Sequence, residues 1–274
     1  MKRVFLTLTI VVTTSIFAQN SYKDLSETDE QNISLLKFDN EKYDKECFLI
    51  GMLNEYWGYR IFHGNLQVDF TTTKTELKYL LFIESLFNSD YYDITIANNG
   101  SAFRIYSPTL SRKIDDYYIY VATKLLTVEG DTMYSGHLKK EKFETEKQKQ
   151  SFLLGAYLRY GKNMESFKSY IQWLERENAL DKNINCENAT KAIALSNASE
   201  KASFCKELLT DFDCKDVQYV NSNTFPSMNI IVFTSSEKTQ EAISEAERLN
   251  RQIETINTNV NFTIDGTKYI WDGK

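Results

Sequence analysis

Two apolar stretches, each with a central glycine, open two similar series of elements along this chain. The first reads FLIGMLNEYWG (Phe48 to Gly58) and the second reads FLLGAYLRYG (Phe152 to Gly161). Because each stretch is apolar on most sides, each is predicted to form a buried helix. The repeated opening predicts that one structural unit is used twice.

The pattern after the first helix alternates between strand and helix periods. YRIFHG and NLQVDFTTT predict two strands with a turn at residues 63–65, since Leu66, Val68 and Phe70 alternate with polar residues. TKTELKYLLFIESLFN then predicts a helix, and YYDITIANNGSAFRIYS predicts two strands around a turn at residues 98–100.

The first series ends in one more helix and a charged segment. Ser107 and Pro108 predict the helix start, a cap residue followed by proline at the first helical position. The predicted apolar stripe of this helix consists of Ile114, Tyr118, Val121 and Leu125. Residues 137–150 carry eight charges. They are interpreted as a solvated connector, the alternative being a basic interaction patch that three glutamates dilute.

The second series repeats this order after its own helix. TKAIALSNA predicts a strand, SEKASFCKELLTDF a helix, and DVQYVNSNTFPSMNIIVFTSS a strand pair turning near Pro226. A closing helix begins at Ser236, and a last hairpin turns at residues 265–266.

One stretch of the second series, between Gly161 and Ala189, departs from the first. Its apolar positions fit two different periods, so that a helix and a strand both remain open. The helix would use Met164, Phe167, Ile171 and Leu174, and the strand would use Phe167, Ile171 and Trp173.

The predicted fold class is therefore α+β, with two pseudo-symmetric αββαββα halves and an insertion in the second half. The predicted segments are a signal peptide (1–18), a polar lead-in (19–46), the first half (47–136), a charged linker (137–150), the second half (151–257) and a C-terminal hairpin (258–274).

The start of the chain has the order of features found in secretory signal peptides. Lys2 and Arg3 precede the short apolar run VFLTLTIVV, and the small residue Ala18 follows it. Export to the periplasm or the cell exterior is expected, and an uncleaved membrane anchor is the alternative. No later apolar stretch is long enough to predict a membrane span.

Charge and cysteine usage narrow the expected partners and chemistry. Without Lys2 and Arg3, 30 of the 32 basic residues remain against 38 acidic ones, a net charge of −8. Because nucleic-acid affinity depends mainly on Lys and Arg, nucleic acid is not the expected partner.

The four cysteines permit two disulfides in three pairings or could be small buried hydrophobes, and they match no zinc spacing. They are Cys47, Cys186, Cys205 and Cys214, of which the last two are predicted to lie in one helix.

The repeated order of elements resembles the single-chain LAGLIDADG homing endonucleases from Phe48 to about Asn257. Leu49-Ile50-Gly51 and Leu153-Leu154-Gly155 match the start of that family's motif. The resemblance implies that the two motif helices pack side by side on a pseudo-twofold axis. It makes Gly51 and Gly155 candidates for the helix–helix contact, because glycine lets two backbones approach closely. Two core helices that each happen to contain glycine are the alternative.

The family's catalytic acids, which hold divalent metals at the ends of the two helices, are missing here. Aligned on the glycines, those positions fall on Tyr56 and Tyr160, and a neutral phenol is a poor magnesium ligand. A shift by one residue offers Glu55, but its counterpart is then Arg159. No register supplies two acids.

The strand face that the resemblance assigns to DNA reading is mixed in charge. The residues expected to point outward are Gln67, Asp69, Thr71, Asp93, Thr95 and Arg104. Two of these are acids that would repel phosphate.

No other catalytic signature is present in the sequence. It contains no GxSxG elbow, glycine-rich phosphate loop or His-rich cluster, so that no catalytic, cofactor or metal residue is assigned. His63 and His137 are interpreted as ordinary turn and loop residues. The sequence thus predicts an exported, non-catalytic protein that binds an unidentified ligand or protein. The alternatives are a LAGLIDADG-type nucleic-acid-binding protein or nuclease, and an exported enzyme of another type.

Overall fold

A computed structural model describes residues 38–54, 67–71, 73, 75–88, 94–98, 102–126, 132–256, 260–264 and 267–271. Within these ranges there are seven α-helices and eleven strands. The helices are α1 Lys45–Met52, α2 Leu77–Asn88, α3 Pro108–Asp115, α4 Glu146–Tyr160, α5 Met164–Arg176, α6 Ser199–Asp211 and α7 Glu237–Glu254. The strands are β1 Gln67–Thr71, β2 Thr95–Asn98, β3 Phe103–Tyr106, β4 Tyr118–Leu126, β5 Thr132–Leu138, β6 Gly161–Asn163, β7 Lys191–Ser196, β8 Lys215–Asn221, β9 Met228–Thr234, β10 Val260–Ile264 and β11 Thr267–Trp271.

The strands form antiparallel sheets that repeat between the two halves, and the predicted α+β class is confirmed. The first sheet has the order β1-β3-β2 and the second the order β6-β7-β9-β8. Strands β1, β3 and β2 therefore correspond to β7, β9 and β8. The first-half counterpart of β6 would fall in residues 55–66, outside the described residues.

The repeat extends further along the chain than the sequence predicts. In the first half α3 is followed by the antiparallel pair β4–β5, and in the second half α7 is followed by the pair β10–β11. Each half thus ends in a helix and a two-stranded hairpin.

The first of these hairpins corrects the predicted stripe of the third helix. That helix ends at Asp115, and Tyr118 already belongs to β4, so the stripe through Val121 is wrong. Val121 is 52% exposed. The physical reason is that β-branched and aromatic residues favour an extended chain once a partner strand is present.

The insertion of the second half is a helix, so that of the two predicted alternatives the helix is correct and the strand is wrong. After the short strand β6, Asn163 caps α5 by accepting a hydrogen bond from the Glu165 N–H at 3.0 Å. Met164, Ile171 and Leu174 are buried at helical spacing, whereas Trp173 is exposed.

The segment predicted as a charged linker, 137–150, holds more structure than a connector. It begins at the end of β5, contains a 3₁₀ turn at Lys140–Lys142, and includes the first turn of α4. Thr145 and Gln148 form a capping box at the start of that helix. The segment also carries Phe143, which is buried among aromatic rings of the core.

One hydrophobic core runs through both halves, and a second, smaller core lies beneath α5. The main core is built around α1 and α4, which pack against each other. Among the described residues no helix is long and apolar enough to cross a bilayer.

The cysteines form no disulfide within the described residues, which include all four of them. The prediction that Cys205 and Cys214 share a helix is wrong, because α6 ends at Asp211. Burial raises the pKa of the Cys47 thiol to about 12. A thiol that is so hard to ionise is inert, and it acts here as a small buried hydrophobe.

Candidate functional site

The two helices with central glycines, α1 and α4, touch backbone to backbone. A Cβ atom added at Gly51 would lie 2.1 Å from the carbonyl oxygen of Phe152, and one added at Gly155 would lie 2.0 Å from the carbonyl oxygen of Phe48. No side chain fits at either position without a shift of the opposite backbone. The two glycines therefore face each other's helices at the centre of the main core.

The ends of these two helices form the candidate site, because the resemblance places the nuclease acids there. Tyr56 lies outside the described residues. Tyr160 is half-buried and its hydroxyl donates toward the carbonyl oxygens of Leu53, at 3.0 Å, and Met52, at 3.3 Å. In this position Tyr160 links the end of α4 to the end of α1.

A buried arginine occupies the centre of this region. The Arg159 side chain is fully buried, and its Nη1 lies 2.5 Å from Oδ2 of Asp69, whose side chain is also fully buried. Its Nη2 lies 3.1 Å from Oε2 of Glu76. A guanidinium that bridges two carboxylates in this way gives strong, charge-assisted hydrogen bonds.

Two positively charged side chains also donate hydrogen bonds to the carbonyl groups at the end of α1. Arg159 Nη1 donates to the Met52 carbonyl oxygen at 3.0 Å, and Lys201 Nζ donates to the Leu53 carbonyl oxygen at 2.5 Å. The last carbonyls of a helix lack intrahelical partners and carry partial negative charge. We call Asp69, Glu76, Arg159, Tyr160 and Lys201 together the helix-end cluster.

The charges of the helix-end cluster balance one another. Burial raises the pKa of Asp69 above its ordinary value, and the attraction of Arg159 opposes that shift. For Glu76, burial alone would raise the pKa, but Arg159 outweighs it and holds the pKa below the ordinary value. Burial works against the charge on Arg159, yet Asp69 and Glu76 raise its pKa, so that the guanidinium stays charged. Two cations and two carboxylates leave the cluster with no formal net charge.

This arrangement joins the ends of α1 and α4 to β1 and α6. The carboxylates of Asp69 and Glu76 are both engaged by Arg159, so that a divalent ion would have to displace a buried guanidinium. Throughout the described ranges, no three His, Cys, Asp or Glu side chains are grouped as metal ligands.

The residues expected to form an outward DNA-reading face in the first half are largely buried, which corrects that expectation. Gln67, Asp69 and Thr71 are 2%, 0% and 1% exposed. Two of them bond to arginines: Arg104 Nη1, on the paired strand β3, donates to the Gln67 Oε1 atom at 2.8 Å, and Arg159 of α4 pairs with Asp69. Thr95 is exposed and Arg104 half-buried, while Asp93 lies outside the described residues.

Both faces of the second sheet are covered at β9, one of its two inner strands. In β9, Ile231 and Phe233 belong to the main core, and the alternating Ile230 and Val232 belong to the smaller core with α5. Successive side chains of a strand point to opposite faces, so that both faces of the sheet are covered here. The inserted helix thus covers one face of the second sheet.

The sequence missed most of the helix-end cluster. In the sequence, Arg159 appears only as the counterpart of Glu55 in a shifted register, and the alternation of β1 predicts a solvent-facing Asp69. The available signal was a charged residue inside the otherwise apolar run Phe152 to Gly161, since a buried charge requires a partner elsewhere in the chain.

Comparisons with known proteins add only a weak likeness of fold. No protein-family model matches the chain, and no curated protein matches it. Among solved structures the chain is similar to the crystal structure of the N-terminal LAGLIDADG domain of DUF199/WhiA, with 11% identity and a TM-score of 0.33. The match covers 84% of this chain and 97% of that one. A likeness at this level carries no argument about function, and the α+β assignment rests on the elements described above.

Proposed function

We propose that this chain is an exported binding protein whose LAGLIDADG-like centre is structural and performs no metal-dependent cleavage. One observation carries the proposal: Arg159 lies buried between Asp69 and Glu76 at the helix ends, where a nuclease of that family would hold its metals. The ligand is an unidentified protein or small molecule.

The covered sheet and the acidic charge support a partner other than nucleic acid. Helix α5 lies over one face of the second sheet, and the chain carries more acidic than basic residues. The second half also has exposed aromatic side chains that could contact a partner. Phe225 is 80% exposed in the β8–β9 turn, and Trp173 on α5 stacks on Tyr170. Aromatic side chains are enriched where proteins bind partners.

A binding and cleavage assay with duplex DNA tests this proposal. It is done at low ionic strength, because contacts between basic side chains and phosphates are strongest there. The purified chain at micromolar concentration with magnesium is expected neither to retard the duplex in a gel nor to cut it. Cleavage that requires magnesium and disappears in Asp69→Asn or Glu76→Gln would contradict the proposal. An established LAGLIDADG nuclease run in parallel is the positive control.

Export is tested by the mass of the chain recovered from cells. When the full chain is expressed in a Gram-negative host, we expect it in the periplasmic fraction with Gln19 as its first residue, because cleavage after a small residue ends a signal peptide. Replacement of Val4 and Leu6 by Asp should retain the precursor in the cytoplasm. An intact N-terminus on membrane-bound protein would favour the anchor instead.

A further inference from the structure

A chain of hydrogen bonds joins three side chains where β5 meets the start of α6. Ser135 Oγ lies 3.3 Å from Nε2 of His137, and His137 Nδ1 lies 2.5 Å from Oε1 of Glu200. A serine on one ring nitrogen and a carboxylate on the other are the positions of a nucleophile, a general base and an orienting acid. We propose that these residues form a serine acyl-transfer centre that hydrolyses uncharged carboxylic esters, an activity separate from the binding role.

The local structure places the three side chains together. Ser135 and His137 are two residues apart in β5, so they lie on the same face of the strand. Glu200 lies in the first turn of α6, and its second carboxylate oxygen accepts a hydrogen bond from the Leu138 N–H at 3.2 Å. A carboxylate that accepts the proton on Nδ1 leaves the Nε2 lone pair toward the serine hydroxyl.

The edge of β5 that faces away from β4, where Ser135 and Gly136 are buried, supplies a donor for a developing oxyanion. Among the described strands β5 pairs with β4 alone. The Lys139 N–H donates to the Tyr117 carbonyl on the β4 side, whereas the Leu138 N–H points away from β4 to Glu200. Because backbone N–H groups alternate along a strand, the Gly136 N–H points away from β4, to the same edge as that of Leu138. The N–H directly after the nucleophile is a typical oxyanion donor.

The neighbouring side chains indicate the substrate class. Ile119 and Val121 of β4 lie directly opposite His137 and Ser135, and they are 53% and 52% exposed. Directly paired residues of an antiparallel sheet share a face. The centre is therefore flanked by two aliphatic side chains and suits an ester with a short aliphatic acyl group.

The reaction has two balanced steps. Ser135 Oγ bonds to the acyl carbon, its proton passes to His137 Nε2, and the ester C–O bond breaks as that proton moves to the leaving alcohol. Water then attacks the acyl-serine, giving a proton to Nε2. The carboxylic acid leaves as the proton returns to Ser135. Water is the only co-reactant.

Hydrolysis of p-nitrophenyl butyrate and labelling by a fluorophosphonate probe test the centre on the full chain. We expect the probe to modify Ser135, as located by peptide mass, and Ser135→Ala to lower kcat/KM at least about 100-fold. Glu200→Gln keeps an acceptor but not the charge, and it should also lower the rate. Ser203→Ala, which removes an α6 hydroxyl that donates to Glu207, is the matched control and should leave the rate unchanged.

A wild-type chain that is neither labelled nor faster than Ser135→Ala would overturn the proposal. The three side chains would then only attach the β4–β5 hairpin to α6. Circular dichroism of each variant separates loss of activity from loss of fold. The DNA assay above does not involve Ser135, so that failure of this centre is distinct from failure of the binding proposal.

Discussion

Gly51→Ala is expected to lower the free energy of unfolding by at least about 3 kcal/mol, the upper end of overpacking costs. The added Cβ would lie 2.1 Å from the backbone oxygen of Phe152, and a backbone atom yields less readily than a side chain. In a helix without such a contact, the same change stabilises by about 1 kcal/mol. The sign of the effect therefore reports the contact, and urea unfolding followed by circular dichroism measures it.

The opposite helix offers a matched pair for this test. Gly155→Ala should cost a similar amount, because its Cβ would meet the Phe48 carbonyl oxygen at 2.0 Å. Lys149→Ala, in the first part of the same helix, should change stability by less than about 0.5 kcal/mol. Stabilisation by both glycine replacements would mean that the two helices do not touch.

Arg159→Met is expected to lower the free energy of unfolding by about 3–5 kcal/mol. The change leaves the buried carboxylate of Asp69 without its cation, and removing one partner of a buried pair costs far more than the pair contributes. It also removes the hydrogen bond to the Met52 carbonyl oxygen. Chemical denaturation at neutral pH measures the loss.

Arg248→Met is the control for this arginine. Arg248 pairs with Glu245, three residues earlier on α7, and the two side chains are 37% and 18% exposed. Because both charges of this pair remain partly solvated, the loss for Arg248→Met should be well below that for Arg159→Met. Equal losses for the two arginine variants would contradict a special role for the buried one.

Local periodicity in the sequence predicts much of this fold. The apolar runs around Gly51 and Gly155 form helices, and the alternation at Val68 corresponds to a strand. These features depend on neighbours a few residues apart, which a linear pattern records.

The features that the sequence missed depend on distant partners. Tyr118–Leu126 has apolar residues at helical spacing, and pairing with β5 decides in favour of a strand. The alternation that predicts β1 also places Asp69 in solvent, but Arg159, ninety residues later, supplies the charge that permits its burial. The sequence does not reveal the pair Ser135 and His137 for the same reason. The two side chains share a face only when residues 132–138 form a strand, and that strand depends on its partner β4.

The insertion was hidden for a different reason. The residues of α5 gave equal support to two periods, and the choice follows from the second sheet, whose outer face needs an apolar cover. MNIIVFT, the sequence of β9, is apolar at consecutive positions, as is typical of a strand buried on both faces. That run was the available sign of a covering element.

The coupling energy between Arg159 and Asp69 tests most directly whether the helix ends hold a structural ion cluster. It is obtained from the free energies of unfolding of the wild type, Arg159→Met, Asp69→Asn and the double variant. If the two side chains support each other in the fold, the double variant will be more stable than the sum of the single losses predicts, by about 2 kcal/mol or more. Strictly additive losses would show that the two charges do not act together, and the helix ends would again be open to a catalytic interpretation.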